Sequence, residues 1–323
     1  MPLNNRPEIT VTIVSWNTQD LLRDCLKSLL TENVRRIAEV HVVDNNSHDG
    51  STEMVRREFP EVRLFANSEN LGFARANNQS WRESKGRYWF LLNSDTIVKP
   101  GAIEKLIAFM DARPRAGMAT AKLLNTDGTP QFCAEPDVTI SKAFLDFFRL
   151  HLLLPAKLRG KVFQSRHFSY DEAQKLKTTW GTALITRREA VEEAGALSEE
   201  FFMYGEDFEW SLRIRRKGWE IWFCPEAEIV HFGGQSSNQV WDDRGRSDLN
   251  WDGCYRALRL HRGKTYVKTL QVIFYFMTLV ELAMDNLFRR NTLINYHRAK
   301  LDYHSRKLFS GTKNLKSNES KSR

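Results

Sequence analysis

The chain has 323 residues, 41% of them hydrophobic and 11% aromatic, enough for one substantial core, which excludes wholesale disorder, a collagen-like fibre and a small disulfide scaffold. The net charge of +8 is unevenly spread, because Arg256 to Arg323 holds 15 Lys and Arg against 4 Asp and Glu while the rest holds 33 against 36. A nucleic-acid binder, the reading that the overall charge alone suggests, would spread basic residues over its folded surface, whereas a near-neutral body with a basic tail points at least as well to an anionic membrane surface.

The N-terminal MPLNNRPEIT carries no apolar run of signal-peptide length, so a cleaved leader is not expected. Ile9 to Ser15 is a short β-branched strand, and Leu21 to Leu30 follows as a helix with Leu22, Leu26, Leu29 and Leu30 on one side. Val40 to Val43 is the second strand, cut off by DNNSHDGS, whose Asp49 or Ser51 caps a helix from about Thr52. Next come a strand at Val62 to Phe65, a helix from about Phe73 to Ser84, and the apolar strand Tyr88 to Leu92. Strands separated by helices of this length predict parallel pairing, and their near-continuous apolar character predicts a sheet covered on both faces. The expected class is therefore α/β, an open, mostly parallel sheet with helices on both faces.

Beyond Asp95 the rhythm changes. A helix over Gly101 to Ala112 leads to a strand at Met118 to Leu124, and NTDGT reads as a hairpin turn. Ser141 to Tyr170 is irregular, with the cluster FLDFFRLHLLLP and a basic loop. Strand-like Thr178 to Thr186, a short helix ending at Gly195, a helix over Asp207 to Lys217, and strands at Glu220 to Phe223 and Glu228 to Phe232 complete the body. The terminal GTKNLKSNESKSR reads as disordered. Cys25, Cys133, Cys224 and Cys254 are scattered without a C-x-x-C pair, which predicts neither a zinc knuckle nor a disulfide framework and suits a reducing compartment.

In an open parallel sheet, ligands bind beyond the carboxyl ends of the strands. Those ends carry Ser15, Trp16 and Asn17, then Asp44, Asn45 and Asn46, then Asn93, Ser94 and Asp95, a set suited to a base and ribose. No G-x-G-x-x-G follows the first strand and no P-loop motif occurs. Asp95, with an amide two residues before it, suits either an oxygen-coordinated Mg²⁺ or Mn²⁺ shared with a diphosphate or a helix cap. YGEDFEW sets Glu206 and Asp207 at a helix start, where acidic capping is the plain alternative to chemistry, and His231 ends a strand before Gly-Gly. Trp180 is either a core tryptophan or a platform for an acceptor sugar.

These segments, VTIVSWN, VVDNNSHDGS, NLGFARANN, LLNSDT, GTALITRREA, GEDFEWSLRIRRKGW and IVHFGGQSS, stand in the order and spacing that resemble glycosyltransferase family 2, over Ile9 to about Ser237. Within the family the chain is similar to bacterial rhamnosyltransferase-type enzymes of O-antigen and related surface polysaccharides. The resemblance implies a GT-A fold, with a nucleotide-binding half over about residues 1–97, an acceptor-binding half over 98–255 and a basic tail over 256–323. It implies a nucleoside-diphosphate sugar as donor and a divalent cation as cofactor. By position, Asp44 corresponds to the base-binding residue, with Ser15, Trp16, Asn17 and Asn46 beside it. Asn70, Arg75 and Asn77 fall in the segment that lines the nucleotide. Asn93 and Asp95 take the places of the D-x-D motif, with Asn93 replacing its first aspartate, so Asp95 carries most of the metal binding and His231 is the late metal or diphosphate ligand. Asp207 matches the general base and Glu206 orients the acceptor or the base. An inverting single displacement onto a saccharide acceptor, lipid-linked on the cytoplasmic face of the inner membrane, is the implied activity.

In the tail, Leu270 to Phe288 is apolar over nearly the length of a spanning helix, but Glu281 and Asp285 argue against a span. Gln271, Thr278 and Asp285 fall at heptad spacing, predicting a polar stripe beside a wide apolar face on a helix lying in the membrane interface. A hairpin packed on the catalytic domain or across a homodimer is the alternative. Other functions consistent with parts of the pattern are a nucleotidyltransferase, which lacks its glycine- and lysine-rich loop here, and a catalytically silent glycan-binding homologue, suggested by Asn93.

Overall fold

The computed structural model describes residues 6–133, 138–148, 150–153, 155, 168–235, 239–289 and 291–309. The basic loop expected after Pro155 and the terminal GTKNLKSNESKSR lie outside the described residues.

Strand β1 (Ile9–Ser15) is followed by helices α1 (Gln19–Leu29) and α2 (Glu32–Ile37), then β2 (Ala38–Asp44), α3 (Ser51–Glu58), β3 (Arg63–Ala66), α4 (Gly72–Glu83) and β4 (Tyr88–Asn93). β5 (Thr96–Val98), α5 (Ala102–Asp111) and β6 (Ala116–Leu124) come next, then α6 (Ile140–Phe147) and a short 3₁₀ turn at Leu150–Leu153. The body closes with β7 (Gln174–Leu176), β8 (Ala183–Arg187), α7 (Arg188–Ala194), α8 (Glu206–Arg216) and β9 (Glu220–His231). The nine strands form one sheet in the order β3-β2-β1-β4-β8-β6-β9-β5, with β7 on β9.

The first four strands pair in parallel, as their helical crossovers require, and Ser15 lies opposite Asp44. Parallel register brings the carboxyl ends of β1, β2 and β4 to one edge of the sheet. The second half is mixed: β8 runs antiparallel to β4 and to β6, and β5 runs antiparallel to β9 with Thr96 opposite His231. That last pairing carries His231, far along the chain, to the end of β4. Two strand predictions shift. Thr178 to Thr182 is a loop, because β4 ends at Asn93, whose N–H donates to the Thr182 carbonyl, and nothing remains for a longer β8 to pair with. The two strands predicted after residue 219 are one, β9, whose register shift opposite Ala121 and Lys122 absorbs Pro225. The NTDGT turn forms as expected, with Asn125 and Thr129 bonded across it and Gly128 at φ +83°.

The core is built on Trp89, wholly buried between Trp81 and Trp210 at ring distances of 5.1 and 5.5 Å. Its indole N–H donates to Thr12, so the buried polar atom of this large aromatic is satisfied.

The tail is helical: α9 (Asp243–Arg262), α10 (Lys264–Leu287) and α11 (Asn291–Phe309). α9 crosses residue 255 without interruption and packs on α8 in a second apolar cluster that includes Phe208, Leu212, Leu258, Leu270 and Tyr303. The polar stripe of α10 faces inward. Thr278 and Asp285 are buried, Asp285 meets His297 at 2.5 Å, and Glu281 meets Lys300 at 3.3 Å, so α11 supplies the partners that water was expected to supply. The outward face holds Val272, Phe276, Val280, Met284 and Leu287, near four-residue spacing and all exposed. The helix is long and apolar enough to cross a membrane by length and composition, with a hydropathy of 1.5, but its pairing with α11 makes it one arm of a hairpin.

Within this unit His304 is wholly buried among Trp251, Tyr255 and Phe274, and its Nε2 has no partner. Burial pushes its imidazole down to about 4, with the charge of Lys300 adding to the effect. A group whose folded value lies below its unfolded value stabilises fully above the unfolded value and loses that contribution as pH falls between the two. The tail packing is therefore expected to lose about 3 kcal/mol between pH 6.5 and 4. Thermal melting of wild type and His304→Phe across that range checks it: the wild-type curve should fall more steeply, and parallel curves would contradict it.

Candidate active site

Three loops at the sheet edge are tied by hydroxyls. Ser15 bonds Thr18 at 3.0 Å, and Thr18 bonds Ser94 at 3.0 Å, linking the end of β1 to the end of β4. Asn17 takes φ +51° and Asn46 φ +66°, the left-handed region that asparagine tolerates better than most residues. Asn17 accepts from the His48 N–H, and its own N–H donates to Ser47, so the β1 and β2 loops are stitched together. Asp44 is buried beneath them. One carboxylate oxygen accepts from the Ser47 N–H, the other has no partner, and burial raises the group above the ordinary aspartate value.

At the end of β4, Asp95 and His231 face one another, with Nε2 3.3 Å from Oδ1. His231 Nδ1 lies 2.6 Å from Gln131 Oε1, and the Gln131 amide nitrogen is occupied by Asn125, which fixes the orientation of both side chains. Nε2 is buried without an aligned hydrogen bond. The second oxygen of Asp95 accepts from the Gln235 N–H. Burial would raise the Asp95 carboxyl, but the facing imidazole and that amide hold it below the usual aspartate value. A carboxylate and an imidazole nitrogen aimed at the same gap, with the other ring nitrogen held by an oxygen, fit a divalent cation that accepts mixed oxygen and nitrogen donors. Among the described residues no group of three or more His, Cys, Asp or Glu is placed to hold a metal ion, so a cation here would need ligands from a bound diphosphate.

Across the cavity, Tyr204 at φ +68° and Gly205 at φ +94° turn the chain into α8. A Cβ on Gly205 would meet the Gly253 Cα of α9 at 2.5 Å, so two glycines are needed where this loop and α9 touch. The turn presents Glu206 and Asp207. Asp207 accepts from the Gly181 N–H at 3.0 Å and the Phe208 N–H at 2.7 Å. Burial raises its carboxyl, and the two N–H donors limit the rise. Glu206 is buried with an unpartnered oxygen, and burial plus the charge of Asp207 raises it well above the ordinary glutamate value. Within the pair a shared proton therefore favours Glu206 over Asp207, which alone has two N–H donors to hold its negative charge.

Trp16, Asn70, Asn93, Asp95, Trp180, Glu206, Asp207 and His231 line one cavity of about 680 Å³. Trp180 faces this space, edge-on to Phe132 at 5.6 Å, rather than the core. Ser15, Asp44 and Asn46 are not among the lining residues, and Asn17 lines a neighbouring cleft with Asp49. Arg75 and Asn77 also stand apart: Arg75 is exposed on the far side of α4 and pairs with Glu199, and Asn77 is buried and donates to the Phe73 carbonyl within its own helix. Sequence reasoning missed Gln131 and the α9 residues Arg246, Ser247 and Asn250, all of which line the cavity. Only the Asp-Gly turn next to Gln131 gave any signal.

The family model described as glycosyl transferase family 2 matches residues 10–194. N-acetylglucosaminyl-diphospho-decaprenol L-rhamnosyltransferase of Mycobacterium tuberculosis is 26% identical over 245 residues, 72% of this chain and 78% of that protein. O-antigen biosynthesis protein RfbC of Myxococcus xanthus is 25% identical over 71% of this chain, but over only 18% of its own length. Among solved structures, mannosyltransferase PcManGT from Pyrobaculum calidifontis, in complex with GDP-Man and Mn²⁺, matches with a TM-score of 0.61 at 17% identity, covering 95% of this chain and 89% of that one. GalNAc-T7 with UDP, GalNAc and Mn²⁺ matches with a TM-score of 0.52 at 18% identity, covering 76% and 50%. At these identities the structural likeness is one of fold, the GT-A arrangement.

Proposed function

The chain belongs to glycosyl transferase family 2, and from that premise we propose that it moves a sugar, rhamnose in the first instance, from a nucleoside diphosphate to a prenyl-diphosphate-linked saccharide with inversion. The observation that carries this reading is that Asp95 with His231, and Asp207 with Glu206, open into the same cavity. Asp207 takes the proton of the attacking acceptor hydroxyl, and protonated Glu206 beside it has an O–H to hold the acceptor or the base in line. Asp95 and His231 would hold the divalent cation, with Asn93 offering a neutral oxygen. When bound, Mg²⁺ or Mn²⁺ would supply positive charge to offset that developing on a departing diphosphate. Trp16 and Asn70 take the donor side, with Ser15, Asn17, Asp44 and Asn46 shaping the loops behind them, and Trp180 offers a ring face to the acceptor sugar.

The acceptor chemistry comes from the mycobacterial relative, whose name specifies a diphospho-decaprenol substrate. Incubating the chain with dTDP-, UDP- and GDP-sugars and an N-acetylglucosaminyl-diphospho-lipid tests the reading. One donor should give a disaccharide product of inverted anomeric configuration by NMR. Retained configuration would refute the mechanism, and the absence of both transfer and donor hydrolysis across the panel would refute the transferase assignment in favour of a silent homologue.

The exposed stripe of α10 supports a peripheral position on the cytoplasmic face of the inner membrane, since five apolar side chains facing water are costly to leave uncovered. The double substitution Phe276→Ser and Leu287→Ser is expected to lower co-sedimentation with anionic liposomes several-fold. Unchanged sedimentation together with a shift from dimer to monomer would assign the stripe to a homodimer instead.

A further inference from the structure

Helix α9 carries Arg246, Asn250, Gly253 and Ala257 at three- and four-residue spacing, which puts them on one face. Gly253 fixes where that face lies. A Cβ there would meet the Tyr204 carbonyl oxygen at 2.3 Å and the Gly205 Cα at 2.9 Å, so α9 sits in backbone contact with the loop that presents Glu206 and Asp207. One and two turns nearer the start of the helix, Asn250 and Arg246 line the cavity, with Ser247 beside them.

Arg246 is the one lysine or arginine among the described residues that line this cavity, whose other ionisable groups are Asp95, Glu206, Asp207 and His231. A planar guanidinium at the wall of an otherwise acidic cavity matches a phosphoryl group in charge and in geometry. Either substrate could bring one. α9 abuts the Glu206–Asp207 loop, the proton-accepting side, whereas the donor diphosphate belongs with Asp95 and His231. Gly263, at φ +87°, ends α9 and starts α10, and the two helices pack on one another, so the guanidinium and the exposed apolar stripe belong to one packed helical unit.

We propose that Arg246, with Ser247 and Asn250, forms the subsite for the phosphate of a lipid-diphosphate acceptor and so selects acceptors that carry one. This rests on the glycosyl-transfer reading for its context, and its test includes a readout that does not depend on turnover. Binding of farnesyl diphosphate to the full chain is measured by calorimetry for wild type, Arg246→Ala and Arg246→Lys. Loss of a charge-assisted contact is expected to weaken binding about tenfold or more in Arg246→Ala, with Arg246→Lys between. In parallel, the ratio of KM for an N-acetylglucosaminyl-diphospho-lipid to KM for the same sugar on an uncharged alkyl aglycone should rise about tenfold in Arg246→Ala.

Equal farnesyl diphosphate binding by wild type and Arg246→Ala would overturn the proposal. So would an equal rise in KM for both acceptors, which marks a structural role, or a rise confined to the donor KM, which assigns Arg246 to the donor diphosphate. If wild type transfers no sugar at all, the transferase reading fails while the calorimetry still decides the subsite.

Discussion

Replacing Asp207 by Asn is expected to reduce turnover by roughly 10²–10⁴-fold, the range for loss of a positioned general base, while donor affinity stays within about threefold. The substitution removes the basic oxygen pair and little else. Asp207 accepts two backbone N–H bonds, from Gly181 and Phe208, and an amide oxygen keeps one of them, so the loop that starts α8 retains its course. The neighbouring acid should behave oppositely. Because burial and the Asp207 charge raise Glu206 well above an ordinary glutamate, Glu206→Gln replaces the member of the pair that holds a proton more readily by an amide of nearly the same shape and should keep activity within about tenfold. Single-turnover rates and donor binding measured on both variants decide the assignment, and a Glu206→Gln enzyme as dead as Asp207→Asn would reverse the roles. The raised Asp207 carboxyl also fixes the acid limb of the rate profile. Activity is lost as pH falls through a value above that of an ordinary aspartate, because a carboxyl that already holds its proton is too weak a base to take another from the acceptor hydroxyl.

Asp95→Asn carries the second large effect. Asp95 is 5% exposed and faces His231 at 3.3 Å, and the amide preserves its volume and an acceptor for the Gln235 N–H while removing the one full negative charge at the end of β4. With Asn93 already neutral, the cation would be left with an imidazole and amide oxygens, a poor donor set for Mg²⁺ or Mn²⁺. Activity should fall about 10²-fold or more, and calorimetric binding of Mn²⁺ in the presence of nucleoside diphosphate should weaken at least tenfold. EDTA is expected to silence the wild-type enzyme and Mn²⁺ to restore it. Wild-type Mn²⁺ affinity in Asp95→Asn, or full activity in EDTA, would remove the cation from this site.

Much of the site was legible in the sequence because parallel strands fix where their ends lie. Once Ile9 to Ser15, Val40 to Val43 and Tyr88 to Leu92 are read as neighbours, Trp16, Asn93 and Asp95 must share an edge. The helix start at Glu206 and Asp207 was legible, but by itself it read as acidic capping, and only the resemblance gave Asp207 a chemical role. Arg75 and Asn77 show the limit of a motif: the segment does not say which face of α4 looks into the cavity, and Arg75 instead pairs with Glu199 while Asn77 bonds the Phe73 carbonyl within its own helix. The polar stripe of α10 was read correctly as a stripe, but periodicity gives no direction. Its partners, His297 and Lys300, come from α11, and their pairing turns the stripe inward and leaves the apolar residues outside.

The sequence by itself determined the alternation of strand and helix and the edge at which chemistry gathers, since both follow from local spacing and the handedness of parallel crossovers, while its ordered motifs carried the resemblance to the family. Tertiary structure alone decided that His231 reaches Asp95, through the antiparallel pairing of β5 with β9, and that Arg246 joins the cavity, through the contact of Gly205 with Gly253. Those are contacts between segments distant in the chain, and no local pattern of residues encodes the direction in which a helix or an edge strand will be laid down.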